Sequence, residues 1–244
     1  MTSAKRIALV TGGNKGIGLE LSRNLSDAGC TVLLGARNAE QGQNAVRKLE
    51  KTGLSDVHFI EIDVTRQGTI TAAAQAIEAQ YGRLDILMNN AGINLRGDGL
   101  PSSADPAVIQ RVFDTNFLGA LRVTQTMLPL LRKSAAGRIV NVSSGLGSLS
   151  LNSDSSWSSY NTKLIGYCAS KAALNMLTVH LAYELRDTNI KVNSANPGFT
   201  KTDLNDNRGI QPVEVGAIAA TRLALLDEDG STGGLFSKDG PDPW

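Results

Sequence analysis

Sulfur and imidazole are scarce in this chain. It holds two cysteines, Cys30 and Cys168, and two histidines, His58 and His180, none at a metal-ligand spacing. Cysteines so far apart make no disulfide framework, so reduced thiols in a cytoplasmic protein are the default expectation, with Cys168 read as a packing residue. There is no HExxH, no paired CxxC and no GxSxG elbow, which sets aside metal and serine hydrolases and leaves no metal expected. An excess of one charge is lacking too. With 24 Lys and Arg against 23 Asp and Glu, the net charge of +1 marks no nucleic-acid or acidic partner. Long apolar runs are missing: Ile7 to Val10 is too short for the hydrophobic region of a signal peptide, and no stretch spans a bilayer. Nor does any Pro/Ser-rich linker or charge block divide the 244 residues, which read as one domain over 1–244.

What is there is an alternation. Short β-branched runs over Ile7 to Val10, Thr31 to Leu34, Val57 to Ile62, Leu84 to Met88, Arg138 to Val142 and Lys191 to Ala195 read as strands, with a short last one near Leu235. Between them Ile17, Leu21, Leu25 and Ala28 fall at helical spacing before Gly29. Gln67 to Tyr81, Val108 to Arg132, Cys168 to Arg186 and Val213 to Leu226 also read as helices. The expectation is an α/β fold: a Rossmann-type, doubly wound parallel sheet of about seven strands with helices on both faces. Ligands of such sheets bind at the carboxyl ends of the strands, so the loops there are where chemistry is expected.

The first of these loops, "TGGNKGIGLE", places Gly12, Gly16 and Gly18 between a strand and a helix. Glycine lets backbone N–H groups approach a pyrophosphate, and the helix N-terminus favours the anion. Asn14, Lys15 and Ile17 complete this turn. The second strand leads to Arg37, roughly 20 residues on, where a fold that prefers NAD usually places an acid for the ribose hydroxyls. A guanidinium there suits a 2′-phosphate, and Lys15 is expected to converge on the same spot with no acid between them, which favours NADPH over NADH. Asp63 and Val64 after the third strand are expected near adenine. Asn90, Ala91 and Gly92 after the fourth read as a turn that lets backbone meet cofactor; an ordinary Asn-Ala-Gly turn is an equally good reading of those residues alone.

Two tyrosines are each followed closely by a lysine: Tyr160 with Lys163, and Tyr167 with Lys171. Ala173, Leu177, Leu181 and Leu185 form a helical stripe, which leaves Tyr167, Lys171 and Thr178 on another face, aimed together. Tyr160 lies in a Ser/Asn-rich stretch that reads as a loop. A phenol of ordinary pKa ~10 is a reluctant acid at neutral pH. A cation about 4 Å away, worth ~4 kcal/mol at an effective dielectric of 20, is expected to lower it.

Taken in order, "TGGNKGIG", "NNAG", "NVSS", "YCASK" and "NPG" resemble the short-chain dehydrogenase/reductase family over nearly the whole chain, and "VTGGNKGIGLE" most resembles its NADPH-dependent carbonyl reductases. The family pattern Tyr-x-x-x-Lys fits only Tyr167 and Lys171. The resemblance implies hydride transfer from NADPH to a ketone or aldehyde, with Tyr167 as general acid, Lys171 lowering its pKa and Ser144, rather than Ser143, orienting the carbonyl. It implies further that Asn116 of "FDTNFLG" holds a water in a proton relay. Pro197 and Gly198 turn the chain after the sixth strand, and Thr200 and Thr202 are implied to bind the nicotinamide carboxamide. From Ser144 to Tyr167 is 23 positions, longer than in ordinary members, and Tyr160 stands nearer the usual spacing. An insertion over about 148–160 explains the excess, since loop length costs little and lost geometry costs much.

Three functions follow. The leading one is a carbonyl reductase or alcohol dehydrogenase on a small-molecule carbonyl or alcohol. A second is a non-catalytic NADPH-binding or sensing protein on the same fold. A third, elimination or dehalogenation, has no need of the glycine turn and the two cations. In the carbonyl reductases that the chain resembles, a longer insertion before the tyrosine is associated with a monomeric state; here the insertion is shorter, so homo-oligomer and monomer both stay open. The insertion near Trp157, Ile93 to Leu95 and "FTKTDLNDNRG" are the expected specificity loops. The C-terminal "SKDGPDPW" packs either on the domain or on a partner.

Overall fold

The computed structural model describes residues 5–244. Its eight strands form one sheet in the order β3-β2-β1-β4-β5-β6-β7-β8. These are β1 (Ile7–Val10), β2 (Thr31–Ala36), β3 (Val57–Glu61), β4 (Ile86–Asn89), β5 (Arg138–Val142), β6 (Lys191–Ala195), β7 (Leu235–Ser237) and β8 (Gly240–Asp242). All neighbours run parallel except β8, which returns antiparallel on β7. The sheet has one strand more than the expected seven. "SKDG" reverses the chain at Gly240, whose φ of 138° favours glycine.

β1, β2, β4 and β5 are buried throughout, as parallel strands covered on both faces must be. One face packs Leu21, Leu25, Val46, Leu49 and Leu223 against the sheet, and the other packs Ile70, Ile77, Val123, Met127 and Leu181. The helices are α1 (Gly16–Asp27), α2 (Ala39–Glu50), α3 (Gln67–Tyr81), α4 (Pro106–Phe113), α5 (Ala120–Leu131), α6 (Leu149–Ser153), α7 (Ile165–Glu184), α8 (Val213–Gly216) and α9 (Ile218–Ala224). α2 is the crossover that the sequence reading left out. Its Gly42 lowers the apparent helix propensity, yet a Cβ there would stand 2.3 Å from the Phe59 ring, so the glycine serves helix-to-sheet packing.

Three helices differ from expectation. Val213 to Leu226 breaks at Ala217 into α8 and α9. The helix expected over 108–132 is α4 and α5 joined by a π-helical segment, Asp114–Gly119. α7 begins at Ile165, so Tyr167 sits in its first turn. The face of α7 most deeply buried is the polar one, Tyr167, Ser170, Lys171, Leu174, Asn175 and Thr178, whereas Ala173 and Leu177 of the expected apolar stripe are half-buried. The C-terminal segment packs on its own domain: the Trp244 carbonyl accepts from Ser150 N at 3.0 Å, and Asn196 Nδ2 donates to Asp242 at 2.7 Å.

Candidate active site

The loops after β1, β4, β5 and β6 meet along one edge of the sheet. Gly12 and Gly16 hold φ of 63° and 54°, the left-handed region that glycine tolerates. A Cβ on Gly18 would lie 2.3 Å from the Gly12 carbonyl, so α1 starts close beneath the turn. Asn90 ties the two loops together, its Nδ2 donating to the Thr11 and Gly12 carbonyls at 2.9 and 3.1 Å. Thr11, absent from the residues singled out in the sequence, accepts from Asn90 N and Ala91 N while donating to the Met88 carbonyl. Asn14 reaches Gln41 of α2 at 3.2 Å, and Ile17 packs into the core. These residues make a cradle fit for a dinucleotide phosphate: backbone close, side chains withdrawn, a helix N-terminus behind.

The two expected cations differ in their partners. Arg37 is exposed after β2 with no ion-pair partner among the described residues. Lys15 instead pairs with Asp203 at 2.8 Å, so an acid does stand beside it, supplied by the segment after β6. Neither side chain is buried, and an exposed pair of this kind is worth little. Thr202 from the same segment lies over Gly16. Asp63 turns one carboxylate oxygen to Thr65 N and Oγ1, at 2.9 and 2.7 Å, and Val64 is buried against Gly119. Gly198 takes φ of 69°, and Thr200 is buried, donating to the Pro197 carbonyl at 2.9 Å.

Around α7 the structure brings together Asn116, Ser144, Tyr167 and Lys171. Ser144 stands beside the Tyr167 phenol and opposes the upward shift of its proton affinity. Ser143 is committed elsewhere, donating to Asn175 Oδ1 at 2.6 Å, which explains why the second serine of the pair faces the tyrosine. The 23-residue gap between Ser144 and Tyr167 closes because the turn Gly145–Gly147 lies directly on α7. A Cβ on Gly147 would stand 2.7 Å from the Lys171 backbone, so only glycine permits the contact. The insertion folds as α6 and a run of turns, and Trp157 covers Gly145. Asn116 lies in the π-helical segment, a frequent device at functional sites. Its amide accepts from Ile93 N at 2.8 Å and donates to the Ile93 carbonyl and to Ser170 Oγ at 3.0 and 3.1 Å. Ser170, unremarked in the sequence, donates onward to the Tyr167 carbonyl at 2.8 Å. A Cβ on Gly92 would touch both Asn116 Oδ1 and Lys171 Nζ, at 3.4 and 3.6 Å, so these groups border one small space.

Lys171 Nζ donates to the Val142 carbonyl at 2.7 Å and lies 5.6 Å from the centre of the Tyr167 ring. Burial pushes the phenol up to about 12, against the opposing effect of Ser144, and brings the ammonium down to about 8. The net shift of the phenol is thus upward where a lowering was expected: desolvation is the largest cause for both groups, and Lys171 is not among the causes acting on the phenol. The other pair sits apart. Lys163 Nζ stacks 4.1 Å over the Tyr160 ring and donates to the Asn152 carbonyl, a contact internal to the segment between β5 and α7.

A doubly wound sheet with a glycine-rich turn between its first strand and first helix is the architecture of dinucleotide-binding proteins. The short chain dehydrogenase family model matches residues 6–212, and the chain belongs to that family. Among its relatives, "Short-chain dehydrogenase anuI" of Penicillium roqueforti is 38% identical over 96% of this chain and 93% of its own. The (+)-neomenthol dehydrogenase of Capsicum annuum is 32% identical over 96% of each. The NADPH-bound carbonyl reductase from chicken fatty liver superposes with a TM-score of 0.85 at 26% identity, covering 98% of this chain and 99% of that one. Among the described residues no helix is long and apolar enough to cross a membrane, and no acidic, His and Cys cluster could hold a metal ion.

Proposed function

We propose that this protein is an NADPH-dependent carbonyl reductase in which Tyr167 is the general acid, Lys171 keeps the proton supply behind it and Ser144 orients the carbonyl. The observation that carries the reading is the buried Tyr167 phenol with Ser144 beside it, Lys171 one helical turn on and Asn116 joined to that turn through Ser170. Relatives named for neomenthol dehydrogenation and NADPH-bound carbonyl reduction support it. The glycine turn, with Asn14, Ile17, Asn90, Ala91 and Gly92, would hold the dinucleotide backbone. Asp63 and Val64 would border adenine, and Pro197, Gly198, Thr200 and Thr202 the nicotinamide end. Arg37 is the cation for the 2′-phosphate, and Lys15 adds to it once released from Asp203. When bound, NADPH supplies the hydride.

The residues of the chain then handle oxygen and proton. Ser144 donates to the carbonyl oxygen and Tyr167 gives up its phenolic proton as that oxygen becomes an alkoxide, a far stronger base than phenolate. A phenol at about 12 stays protonated across the neutral range, ready to donate. Lys171, at about 8, is largely protonated at pH 7. Reduction therefore slows as pH rises through about 8 and the reverse oxidation gains.

An NADPH-consumption screen over ketones, aldehydes and quinones, run beside NADH, tests this. Turnover with NADPH preferred is expected; tight NADPH binding without turnover on any carbonyl would leave a non-catalytic binding protein in its place. Arg37→Asp is expected to cut the preference for NADPH over NADH by about tenfold or more, the factor that 1.4 kcal/mol makes.

A further inference from the structure

α7 starts without a cap of its own. Leu164 at its N-cap position offers no side-chain acceptor, and the first bond inside the helix runs from Cys168 N to the Leu164 carbonyl at 2.8 Å. Three N–H groups before it need acceptors from elsewhere. Ile165 N donates to the Gly99 carbonyl at 3.0 Å. Gly166 N donates to Asp98 Oδ1 and Tyr167 N to Asp98 Oδ2, both at 2.8 Å. Both oxygens of one half-buried carboxylate, carried on the loop after β4, are thus spent on the N-terminus of the helix that holds the phenol. A Cβ on Gly166 would stand 3.1 Å from Asp98 Oδ2, so the glycine is what lets the carboxylate come this near.

We infer that Asp98 is a positioning residue for the reaction, holding the main chain of Tyr167 so that its phenol meets Ser144. This rests on the reading of Tyr167 as proton donor. The physical ground is that a charge-assisted, two-pronged hydrogen bond at a helix N-terminus is stronger and more directional than a neutral cap. It acts on Tyr167 itself rather than on a residue further along. The same loop reaches the site at its other end, where Ile93 N and O hold the Asn116 amide. One segment, 93–99, therefore sets two members of the constellation against each other. Asp98 has a local bond as well, accepting from Gly99 N at 2.8 Å, which fixes the carboxylate before it meets the helix.

Asp98→Ala and Asp98→Asn, in the full chain, are compared with wild type and Tyr167→Phe for kcat and KM on the carbonyl best turned over in the screen. NADPH affinity by fluorescence and the thermal midpoint are measured on the same samples. Asp98→Ala is expected to lose roughly 10- to 100-fold in kcat, the scale of a small misplacement of a reacting group, with NADPH affinity unchanged within about twofold. Asp98→Asn keeps one acceptor oxygen and should fall between. Wild-type kcat in either variant overturns the inference, as does a parallel loss of kcat, NADPH affinity and thermal midpoint, which marks a general cap. Where Asp98→Ala does not fold, Asp98→Asn decides by the same split. A silent pair of Asp98 variants beside an inactive Tyr167→Phe removes only this inference; an active Tyr167→Phe removes the reading of the site itself.

Discussion

The chain carries two tyrosine–lysine pairs a few residues apart, and they behave differently. In the turns before α7, Lys163 sits 4.1 Å over the Tyr160 ring, closer than the 5.6 Å between Lys171 and the Tyr167 ring. Proximity alone would choose the first pair, burial the second. What separates them is surroundings: Tyr167 and Lys171 are 9% and 4% exposed, with Ser144 beside the phenol and the Val142 carbonyl accepting from the ammonium, while the first pair is only half-buried. A cation stacked on a half-wet ring stabilises a turn. Taken out of water, the same two residue types have displaced proton affinities, the mark of a candidate site.

The sharpest way to break this contrast is at the phenols. Tyr167→Phe is expected to lower kcat by about 10³-fold, within the range general acid catalysis supplies. Tyr160→Phe should stay within about twofold, and a larger loss there would exchange the roles. The lysines come next. Lys171→Met is expected to cost about 10²-fold in kcat, while Lys163→Met leaves kcat alone. Stability against pH sharpens the comparison further. Burial holds Lys171 near 8, below its ordinary 10.5, so the unfolded chain binds more protons between those values. The penalty for burying the ammonium is therefore fully present below pH 8 and relieved as pH rises toward 10.5. Chemical unfolding of Lys171→Met should show its largest advantage over wild type near pH 7 and lose it by pH 10.5; Lys163→Met should show no such trend. The smallest effect is the stacked pair itself: Lys163→Met is expected to cost roughly 0.5–1 kcal/mol in the same measurement.

Much of this was legible in the chain. β1, β5 and β6 fall at the residues expected, because short β-branched runs bounded by turns admit few other readings. The glycine turn and the place of Tyr167 on a helix one turn before Lys171 were legible for the same reason: each is a local pattern. What could not be read depends on contacts between distant segments. Lys15 has an acidic partner because the chain returns after β6 to lay Asp203 beside it. Asp98 caps a helix that lies far along the sequence, and nothing in "LRGDG" announces it. The raised phenol was missed because charge spacing is visible in a sequence and burial is not.

The π-helical segment Asp114–Gly119 amounts to one surplus residue in an otherwise continuous rod. Rewinding the same residues as regular α turns, with the surplus one retained, would swing everything on one side about 100° around the axis relative to the other. Asn116 could then face Ile93 and Ser170, or Thr124 could face Asn89 beneath the sheet, but not both. The extra residue acts as a phase adjuster, letting one helix serve a buried scaffold and a reactive cleft that call for different angular settings.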